Sequence, residues 1–407
     1  MADFSQDGPI TTIHELGTVK PGELEARLNQ AGARYPIGLV LPITAADMRA
    51  EPFKKIVDQL SLTRFLDTIV VVLNRADEKD DYLECAELLT PLDERAHLLW
   101  TDGPRGKALN EELAAYGFNV LVSGKGRAVW TAFGYLLADP RIKAFVLHDC
   151  DIVDYHRDIL VRLCLPMADP SLDFDFCKAY YARCTDRMHG RVVRLLVTPL
   201  LQALISIIGN DAFLVFLKSF RYPLAGEFAV TSSLARSNRI PSDWGLEVGT
   251  LAEVFRNTSP KRCCQIDLGR IYEHKHQPLS LKDASRGLMK MTSDILTSIY
   301  RTLASRGVVL DSGHFVSLRA AYVRAAQDAI RQYHADALLN SLSYDRHSEE
   351  ETIEGFAQLI IEAGNEYHAD PAGAAAMPTW TRVITAVPDF PARLREVVEA
   401  DRAEYTS

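Results

Sequence analysis

The sequence predicts an α/β fold with a mostly parallel sheet flanked by helices, followed by a helical C-terminal region. Three observations predict it. Short apolar runs alternate with helical segments from about residue 36, the run Asp67–Leu73 is rich in β-branched residues, and helical periodicity dominates after Leu281. Strands that alternate with helices pair in parallel through right-handed crossovers. Sheets of this kind bind ligands beyond the carboxyl ends of their strands.

The composition is that of a globular protein with an acidic balance. Of its 407 residues, 47% are hydrophobic and 24% are charged, and the formal net charge is −9. Nucleic-acid-binding proteins usually carry a basic face, so this balance argues against nucleic acid as a partner. The apolar stretch Leu195–Leu217 is interrupted by Gln202, Asn210 and Asp211. We therefore expect a buried or interfacial helix pair there, with no stable membrane insertion.

Cysteine usage and the N-terminus indicate a cytoplasmic protein. The seven cysteines are scattered and include no Cys-x-x-Cys pair, which is typical of reduced thiols in or near the core. Residues Met1–Asp7 are polar and acidic, with no cationic start followed by an apolar stretch. The sequence therefore predicts no secretory signal.

The chain divides into three predicted regions. Residues 1–35 form a short helical preface around Glu23–Ala31, with Gly32 as its stop signal. Residues 36–280 carry the alternating strands and helices. Residues 281–407 form the helical C-terminal region.

Within residues 36–280, each apolar run of strand length is predicted as a strand, and Pro42 ends the first one. The predicted strands are Ile37–Pro42, Asp67–Leu73, His97–Thr101, Ala144–His148, Phe174–Tyr181 and Cys264–Leu268. The predicted helices are Met48–Leu60, Asp80–Leu89, Gly126–Leu137 and Ala252–Phe255, and more than one helix is predicted within Leu195–Phe220. The stretch Tyr222–Gly249 is predicted to be rich in loops.

Two carboxylates directly follow the predicted strand Ala144–His148. Asp149 and Asp151 are two residues apart and point the same way, so they can hold one hard divalent ion. Mg²⁺ and Mn²⁺ favour oxygen ligands from protein and substrate phosphate. Such a metal would stabilise charge on a departing nucleotide. From position alone, a solvated turn with Asp151 or Asp154 as the N-cap of the next helix explains the pattern equally well.

Two basic features are candidates for phosphate and metal contacts. In Ser123–Arg127, small residues let backbone amides approach a phosphate at a helix start, and Lys125 adds a charge. The spacing is not that of a P-loop, so a plain loop with a basic residue is the simpler interpretation. His274 offers a nitrogen ligand for a metal. A surface histidine is its alternative, and His276 competes for the role.

Four further side chains have the chemistry to bind a sugar or an anion. Glu227 and Glu247 lie in apolar, glycine-bearing segments, where carboxylates usually need a partner such as a sugar hydroxyl. A helix N-cap or a structural ion pair is the alternative for them. Arg191 and Arg194 have the fork geometry to grip a carboxylate or phosphate. Exposed basic residues at a helix start are the alternative there.

Taken in order, these residues resemble the retaining GT-A glycosyltransferases that make glucosyl- or mannosyl-glycerate compounds, of the glucosyl-3-phosphoglycerate synthase and mannosylglycerate synthase type. The likeness runs from about Leu39 to Leu279. The segments that carry it are Gly124-Lys125-Gly126, Asp149-x-Asp151-Ile152, Gly190-Arg191-Val192 with Pro199-Leu200-Leu201, Pro223–Ala229, Gly245–Val248, and Leu268-Gly269 followed by His274 and Pro278-Leu279.

The resemblance implies a GT-A fold in residues 36–280, a front-face mechanism with retention, and a homodimer formed partly through the C-terminal helices. Asp151 and His274 would ligate Mg²⁺ or Mn²⁺, and Asp151 and Glu247 would be the catalytic residues. The donor-binding residues would be Pro42, Asp47, Gly124, Lys125, Asp149, Gly226, Glu227 and Glu247. The acceptor-binding residues would be Gly190, Arg191 and Arg194.

The sequence departs from the family pattern in two places. The family places an Asn-Glu pair soon after the proline of the first strand, whereas Pro42 is followed by Ile43–Asp47. Asp47 would substitute in binding the base. Val193 stands where the phosphoglycerate enzymes use a threonine for the acceptor phosphate. Either Arg194, next to Val193, compensates for the missing threonine in binding the acceptor phosphate, or the acceptor carries no phosphate.

The resulting hypothesis is a cytoplasmic, metal-assisted hexosyltransferase. It would move a hexosyl unit, glucose in the first place, from a UDP- or GDP-sugar to 3-phosphoglycerate or D-glycerate, for compatible-solute synthesis or for priming of a larger glycan. A GT-A transferase with another small polyol or sugar acceptor and an inactive nucleotide-sugar-binding scaffold are the alternatives.

Overall fold

The computed structural model of the protein describes residues 6–20, 22–241, 245–269, 287–373 and 375–405. Eight strands occur in these residues: β1 (Thr11–Ile13), β2 (Ile37–Thr44), β3 (Leu66–Asn74), β4 (Ala96–Trp100), β5 (Ala144–Leu147), β6 (Phe176–Tyr180), β7 (Phe228–Thr231) and β8 (Cys263–Asp267). They form one sheet in the order β1-β8-β6-β7-β5-β2-β3-β4. Among these strands only β7 is antiparallel to its neighbours β5 and β6.

Helices cover both faces of the sheet and form the C-terminal region. The helices of residues 6–269 are α1 (Glu23–Gly32), α2 (Ala45–Met48), α3 (Glu51–Ser61), α4 (Lys79–Leu88), α5 (Pro104–Ala115), α6 (Lys125–Leu137), α7 (Asp158–Ala168), α8 (Thr198–Ile208), α9 (Ala212–Ser219), α10 (Ser232–Ser237) and α11 (Leu246–Asn257). Those of the C-terminal region are α12 (Gly287–Ser305), α13 (Ser312–Leu339), α14 (Arg346–Ala369), α15 (Trp380–Ala386) and α16 (Phe390–Tyr405). Short 3₁₀ turns span Thr90–Arg95 and Pro260–Arg262, and a π-helical turn, Val192–Val197, leads into α8.

The central strands are apolar because both of their faces are covered. Val40 of β2 and Val70 of β3 pack into the core that contains Trp130 of α6. Their neighbours Leu39 and Val71 pack into the core on the opposite side of the sheet. Successive residues of a strand point to opposite faces, so a doubly covered strand is a continuous apolar run. This geometry confirms the predicted α/β class.

The C-terminal helices pack on one another and also return to the sheet. Helix α14 packs against α12 and α13, and α13 packs against α8. Helix α16 contacts β4, α5 and α6. Trp380 of α15 stacks on Trp130 with ring centroids 4.2 Å apart, and its Nε1 donates to the Trp130 carbonyl at 2.9 Å. The limits of the three predicted regions stay predictions.

Most predicted elements are confirmed with shifted bounds, but four predictions were wrong or incomplete. The strand β2 does not end at Pro42, because beyond Val40 only β3 pairs with it, and a proline is tolerated where one side has no neighbour. The preface is not purely helical, since it contributes β1 to the sheet edge. The stretch Tyr222–Gly249 is not mainly loop, because it contains β7, α10 and the start of α11.

The predicted helix Met48–Leu60 is two helices. Helix α2 ends at Met48, and α3 starts at Glu51 with Pro52 in its first turn, where the missing N–H of proline breaks no helical hydrogen bond. The helices α5 and α7 were not predicted.

The prediction of unpaired cysteines in or near the core agrees with the structure. All seven cysteines are free, and only Cys184 among them is not buried. Within the described ranges no helix has both the length and the apolar character needed to cross a membrane.

Candidate active site

The carboxyl ends of β5 and β6 and the start of β7 meet at one edge of the sheet. Residue Leu147 at the end of β5 pairs with Phe228 at the start of β7 because the two strands are antiparallel. The segment Gly226–Glu227, which precedes β7, therefore lies beside the segment that follows β5. A side chain on Gly226 would begin 2.5 Å from Asp149 Oδ2, so only glycine leaves room for the carboxylate.

The first turns of helices α6 and α11 bring a positive and a negative side chain, Lys125 and Glu247, close to Asp149. Lys125 begins α6, and its Nζ lies 2.5 Å from Asp149 Oδ1 and 3.4 Å from Glu247 Oε1, in the first turn of α11. Burial alone would lower the pKa of Lys125, but Asp149 and Glu247 outweigh it, and the net pKa is raised well above its usual value. The structure thus joins three residues that are widely separated in the sequence into one charged cluster.

Two further charged residues next to this cluster, Lys178 and Glu227, are buried. Lys178 of β6 is fully buried, and its Nζ donates to the Ala225 carbonyl at 2.6 Å. Glu227 is fully buried as well, and its Oε2 accepts from the Tyr181 hydroxyl at 2.9 Å. These contacts hold the turn before β7, and with it Gly226, against Asp149. The hydroxyl partner of Glu227 agrees with the requirement that a buried carboxylate be hydrogen-bonded.

Burial lowers the pKa of Lys178 to about 8 from the ordinary 10.5, although Glu247 and Glu227 act in the opposite direction. The folded protein then releases this proton near pH 8, whereas the unfolded chain keeps it until about pH 10.5. Between these values the unfolded state binds more protons, so the contribution of Lys178 to the free energy of unfolding rises with pH. The total rise is about 3 kcal/mol. Between pH 7.5 and pH 10, the free energy of unfolding measured in urea should rise more in the wild type than in Lys178→Met. An equal pH dependence of the two free energies of unfolding would contradict this prediction.

The acidic residues that follow β5 do not cap a helix. Helix α7 starts at Asp158 with Arg157 at its N-cap position, and no side chain caps it. The alternative in which Asp151 or Asp154 is a structural N-cap is therefore not observed. A capping role in α7 therefore does not account for the carboxylates next to Cys150.

The buried thiol of Cys150 lies between Asp149 and Asp151 in the sequence. Burial, followed by the charges of Asp149, Asp151 and Asp47, raises the pKa of the Cys150 thiol well above its usual value. Hard divalent cations prefer such oxygen donors, so the chemistry of the cluster fits Mg²⁺ or Mn²⁺. Among the described residues no three His, Cys, Asp or Glu side chains form a complete metal site. The predicted ligand His274 and its competitor His276 lie outside the described residues.

The predicted base-binding segment lies at the end of β2. Thr44 caps α2, and its hydroxyl donates to Asp47 Oδ2 at 2.7 Å and accepts from Asp47 N at 3.2 Å. This pair fixes the turn that follows Pro42. Gly124 is buried directly before α6. The roles of Pro42, Asp47 and Gly124 toward a donor stay predictions.

The predicted acceptor segment lies between the site edge and the C-terminal helices. Gly190 has φ +73°, a conformation that favours glycine, and a side chain there would begin 3.5 Å from the Tyr222 ring. Arg191 Nε donates to Glu349 Oε1 of α14 at 2.9 Å, and the Arg191 side chain stays 33% exposed. Arg191 thus keeps part of its guanidinium open to a ligand.

The guanidinium of Arg194, in contrast, is hydrogen-bonded within the protein. Its Nε donates to the His189 carbonyl at 2.9 Å, while Nη1 and Nη2 donate to Glu349 at 2.9 and 3.2 Å. The side chain is buried, and its guanidinium stacks over the Tyr333 ring. A role for Arg194 as an acceptor ligand does not fit this arrangement, because every nitrogen of the guanidinium already has a partner.

Glu349→Gln should lower the free energy of unfolding by about 3 kcal/mol, because it leaves two arginines around a neutral amide in a buried setting. The matched control is Glu350→Gln. Glu350 is the next residue on α14, and it pairs with Arg346 at the surface at 3.6 Å, so a change within about 0.5 kcal/mol is expected. Equal denaturation midpoints for the two variants would show that the Glu349 ion pair contributes nothing.

Several residues of this site gave no sequence signal of function. Lys178, Tyr181 and Arg183 belong to one apolar strand and its exit, and Tyr222 precedes the glycine-bearing segment. The only feature of the sequence that indicated a functional residue here was a lysine inside an otherwise apolar strand. The partner of Arg194, Glu349, lies 155 residues further along the chain in a region with no recognised motif.

The fold is that of the GT-A class, as comparison with solved structures shows. The chain resembles the structure of glucosyl-3-phosphoglycerate synthase from Mycobacterium tuberculosis with a TM-score of 0.54 and 24% identity, over 75% of this chain and 90% of that one. It also resembles mannosyl-3-phosphoglycerate synthase from Rubrobacter xylanophilus, with a TM-score of 0.54 and 22% identity, over 74% and 83% of the two chains. These likenesses confirm the GT-A fold. A comparison with models of protein families gives no match.

The sequence relatives are much closer. Glucosyl-3-phosphoglycerate synthase of Persephonella marina is 43% identical over 404 residues, which cover 99% of this chain and all of the relative. The enzyme of the same name from Methanococcoides burtonii is 42% identical over 99% of both chains. The chain belongs to the glucosyl-3-phosphoglycerate synthase family. The predicted family is thereby confirmed, and the likeness extends through the C-terminal helices.

Proposed function

We propose that this protein transfers a glucosyl unit from UDP-glucose to 3-phosphoglycerate with retention of configuration at the anomeric carbon. The observation that carries the proposal is the cluster of Lys125, Asp149 and Glu247 at the carboxyl edge of the sheet, in a chain of this family. The M. tuberculosis relative has been crystallised with Mn²⁺, UDP-glucose and phosphoglyceric acid together. That complex supports UDP over GDP and phosphoglycerate over free glycerate.

The cluster suits a sugar diphosphate next to a carboxylate. Lys125 supplies a half-buried positive charge at the start of α6, where the helix dipole also favours an anion. Glu247 faces the same cation from α11, so it lies within reach of a sugar whose phosphate contacts Lys125. Carboxylate oxygens accept hydrogen bonds from sugar hydroxyls, and Glu247 is therefore proposed to orient the glucosyl ring.

Asp151 and His274 are the residues that we expect to hold Mg²⁺ or Mn²⁺, which when bound supplies positive charge to the departing diphosphate. The Asp149 carboxylate contacts Lys125 and occupies the space left by the missing side chain of Gly226. Asp149 is proposed to contact the ribose or a metal water. Gly190 and Arg191 are proposed to position the acceptor on the other side of Glu227. Pro42 and Asp47 are proposed to border the base.

No side chain in this arrangement is assigned as a nucleophile. The proposed route is front-face attack, in which the acceptor hydroxyl approaches from the side of the departing diphosphate and that diphosphate takes up the proton. The protein would act by positioning and by electrostatic stabilisation. A dimer formed through the C-terminal helices remains a proposal from the family resemblance.

The stereochemistry is tested by NMR of the first product formed from UDP-glucose, in which the glucosyl unit is α-linked. The expected product is the α-anomer of glucosyl-3-phosphoglycerate. A β-linked product would contradict retention and require a base placed for inversion.

A further inference from the structure

An acceptor with both a carboxylate and a phosphate needs more than one cation in its site. Arg191 offers part of its guanidinium, whereas Arg194 is buried on Glu349 and the His189 carbonyl. Val193 beside them is apolar and offers no donor. This part of the chain therefore leaves the second anionic group without a partner.

A tight hairpin brings another arginine to the same place. The His189 N–H donates to the Arg183 carbonyl at 2.9 Å, and Cys184 and Met188 form a bridge between the two arms. Since Gly190 follows His189 directly, the hairpin places Arg183 beside the acceptor segment. Arg183 also follows β6, and so it lies at the carboxyl edge of the sheet.

The guanidinium of Arg183 is anchored at one nitrogen. Its Nη1 donates to the Tyr222 hydroxyl at 3.3 Å, and the Tyr222 ring is the group that a side chain on Gly190 would meet. The pKa of Arg183 is raised: burial alone would lower it, but Tyr222, Tyr181 and Glu227 outweigh that effect. The contact with Tyr222 therefore places the Arg183 guanidinium beside the Gly190 segment.

The other edge of this guanidinium has unused donors. Nε is buried and has no hydrogen-bond partner among the described residues, and within them Arg183 forms no ion pair with a carboxylate. Buried polar atoms usually have a hydrogen-bond partner, so an unpaired Nε in a half-buried arginine indicates a ligand contact. The Nε–Nη2 edge is the fork that binds a phosphate in bidentate fashion.

We propose that Arg183 binds the phosphate of the acceptor and takes the place of the hydroxyl that Val193 cannot supply. This inference rests on the proposed function and adds a phosphate-binding residue to it. Tyr222 holds the guanidinium, and Gly190 keeps the space in front of the Tyr222 ring open. Arg191 is left for the carboxylate of the acceptor.

The test compares Arg183→Gln with the wild type in steady-state kinetics with UDP-glucose and 3-phosphoglycerate. Loss of a charge-assisted bidentate contact should raise the KM for 3-phosphoglycerate about 10- to 100-fold. The KM for UDP-glucose should change by less than about twofold, since Arg183 is not among the donor contacts. Inorganic phosphate should compete with 3-phosphoglycerate in the wild type and lose this effect in Arg183→Gln. Arg183→Lys should lie between the two, because it restores the charge without the fork.

The matched control is Arg187→Gln, which lies in the same hairpin but pairs with Asp186 at the surface. It should retain wild-type constants. An unchanged KM for 3-phosphoglycerate in a folded Arg183→Gln protein would overturn the inference, and so would an equal rise in both KM values, which would indicate a structural role. A wild type that binds UDP-glucose but transfers nothing to 3-phosphoglycerate would overturn the proposed function as well, so the two failures are distinguishable.

Discussion

Asp151→Ala is expected to lower kcat about 1,000-fold or more while the protein stays folded. Asp151 follows β5 at the carboxyl edge, and with Asp149 and Asp47 it adds negative charge around Cys150. Removing one of these carboxylates takes away an oxygen ligand of the proposed metal. Metal-assisted charge stabilisation at a departing diphosphate contributes several kcal/mol, which corresponds to this loss of rate.

The measurements are turnover with UDP-glucose, Mn²⁺ binding followed by electron paramagnetic resonance, and thermal unfolding. Asp154→Ala is the matched control, because Asp154 is an exposed carboxylate three residues further along the chain. It should bind Mn²⁺ and turn over like the wild type. Full activity in Asp151→Ala would refute the assignment of Asp151 to the metal, whereas lost Mn²⁺ binding with an unchanged melting temperature would support it.

Gly226→Ala is expected to lower kcat/KM about 100-fold with only a small loss of stability. The new methyl group would begin 2.5 Å from Asp149 Oδ2, well inside van der Waals contact, so the carboxylate must move. Moving it also disturbs the contact of 2.5 Å to Lys125. A displacement of about 1 Å in a positioning group is enough for a loss of this size.

Gly313→Ala separates this effect from a general cost of replacing glycine. Gly313 lies in the first turn of α13, where the nearest atom to an added Cβ is a side-chain oxygen at 3.3 Å. The control should keep wild-type kcat/KM and unfold at a similar temperature. If Gly226→Ala retains kcat/KM in the same assay, the position of Asp149 does not matter for the reaction.

The sequence was sufficient for the fold class because the strongest signals are local. A doubly covered strand such as Asp67–Leu73 is apolar at every inward position, and Asp149 and Asp151 mark the strand end after which a ligand site is expected. The short strand β7 was missed for a physical reason. Its four residues are too few to show a period, and its antiparallel direction depends on pairing with β5 and β6.

The site was only partly predictable, because its contacts join distant segments. Lys125, Asp149 and Glu247 were each proposed from motifs, yet their mutual distances follow from the order of strands in the sheet. Arg194 shows the limit of motif reasoning. Its local pattern matched an anion-binding arginine, but a buried carboxylate from α14 satisfies it. Arg183 carried no motif, and only the hairpin to His189 places it beside Gly190.

The most direct test of the proposed function is a transfer assay with the purified protein, UDP-glucose, 3-phosphoglycerate and Mg²⁺, read by UDP release and product mass. We expect UDP to appear in step with a product of the mass of glucosyl-3-phosphoglycerate, and both should require the acceptor and the metal. Parallel reactions with GDP-glucose and with D-glycerate should be much slower. Transfer to D-glycerate alone, or metal-dependent binding of UDP-glucose without any transfer to 3-phosphoglycerate, would contradict the proposed function.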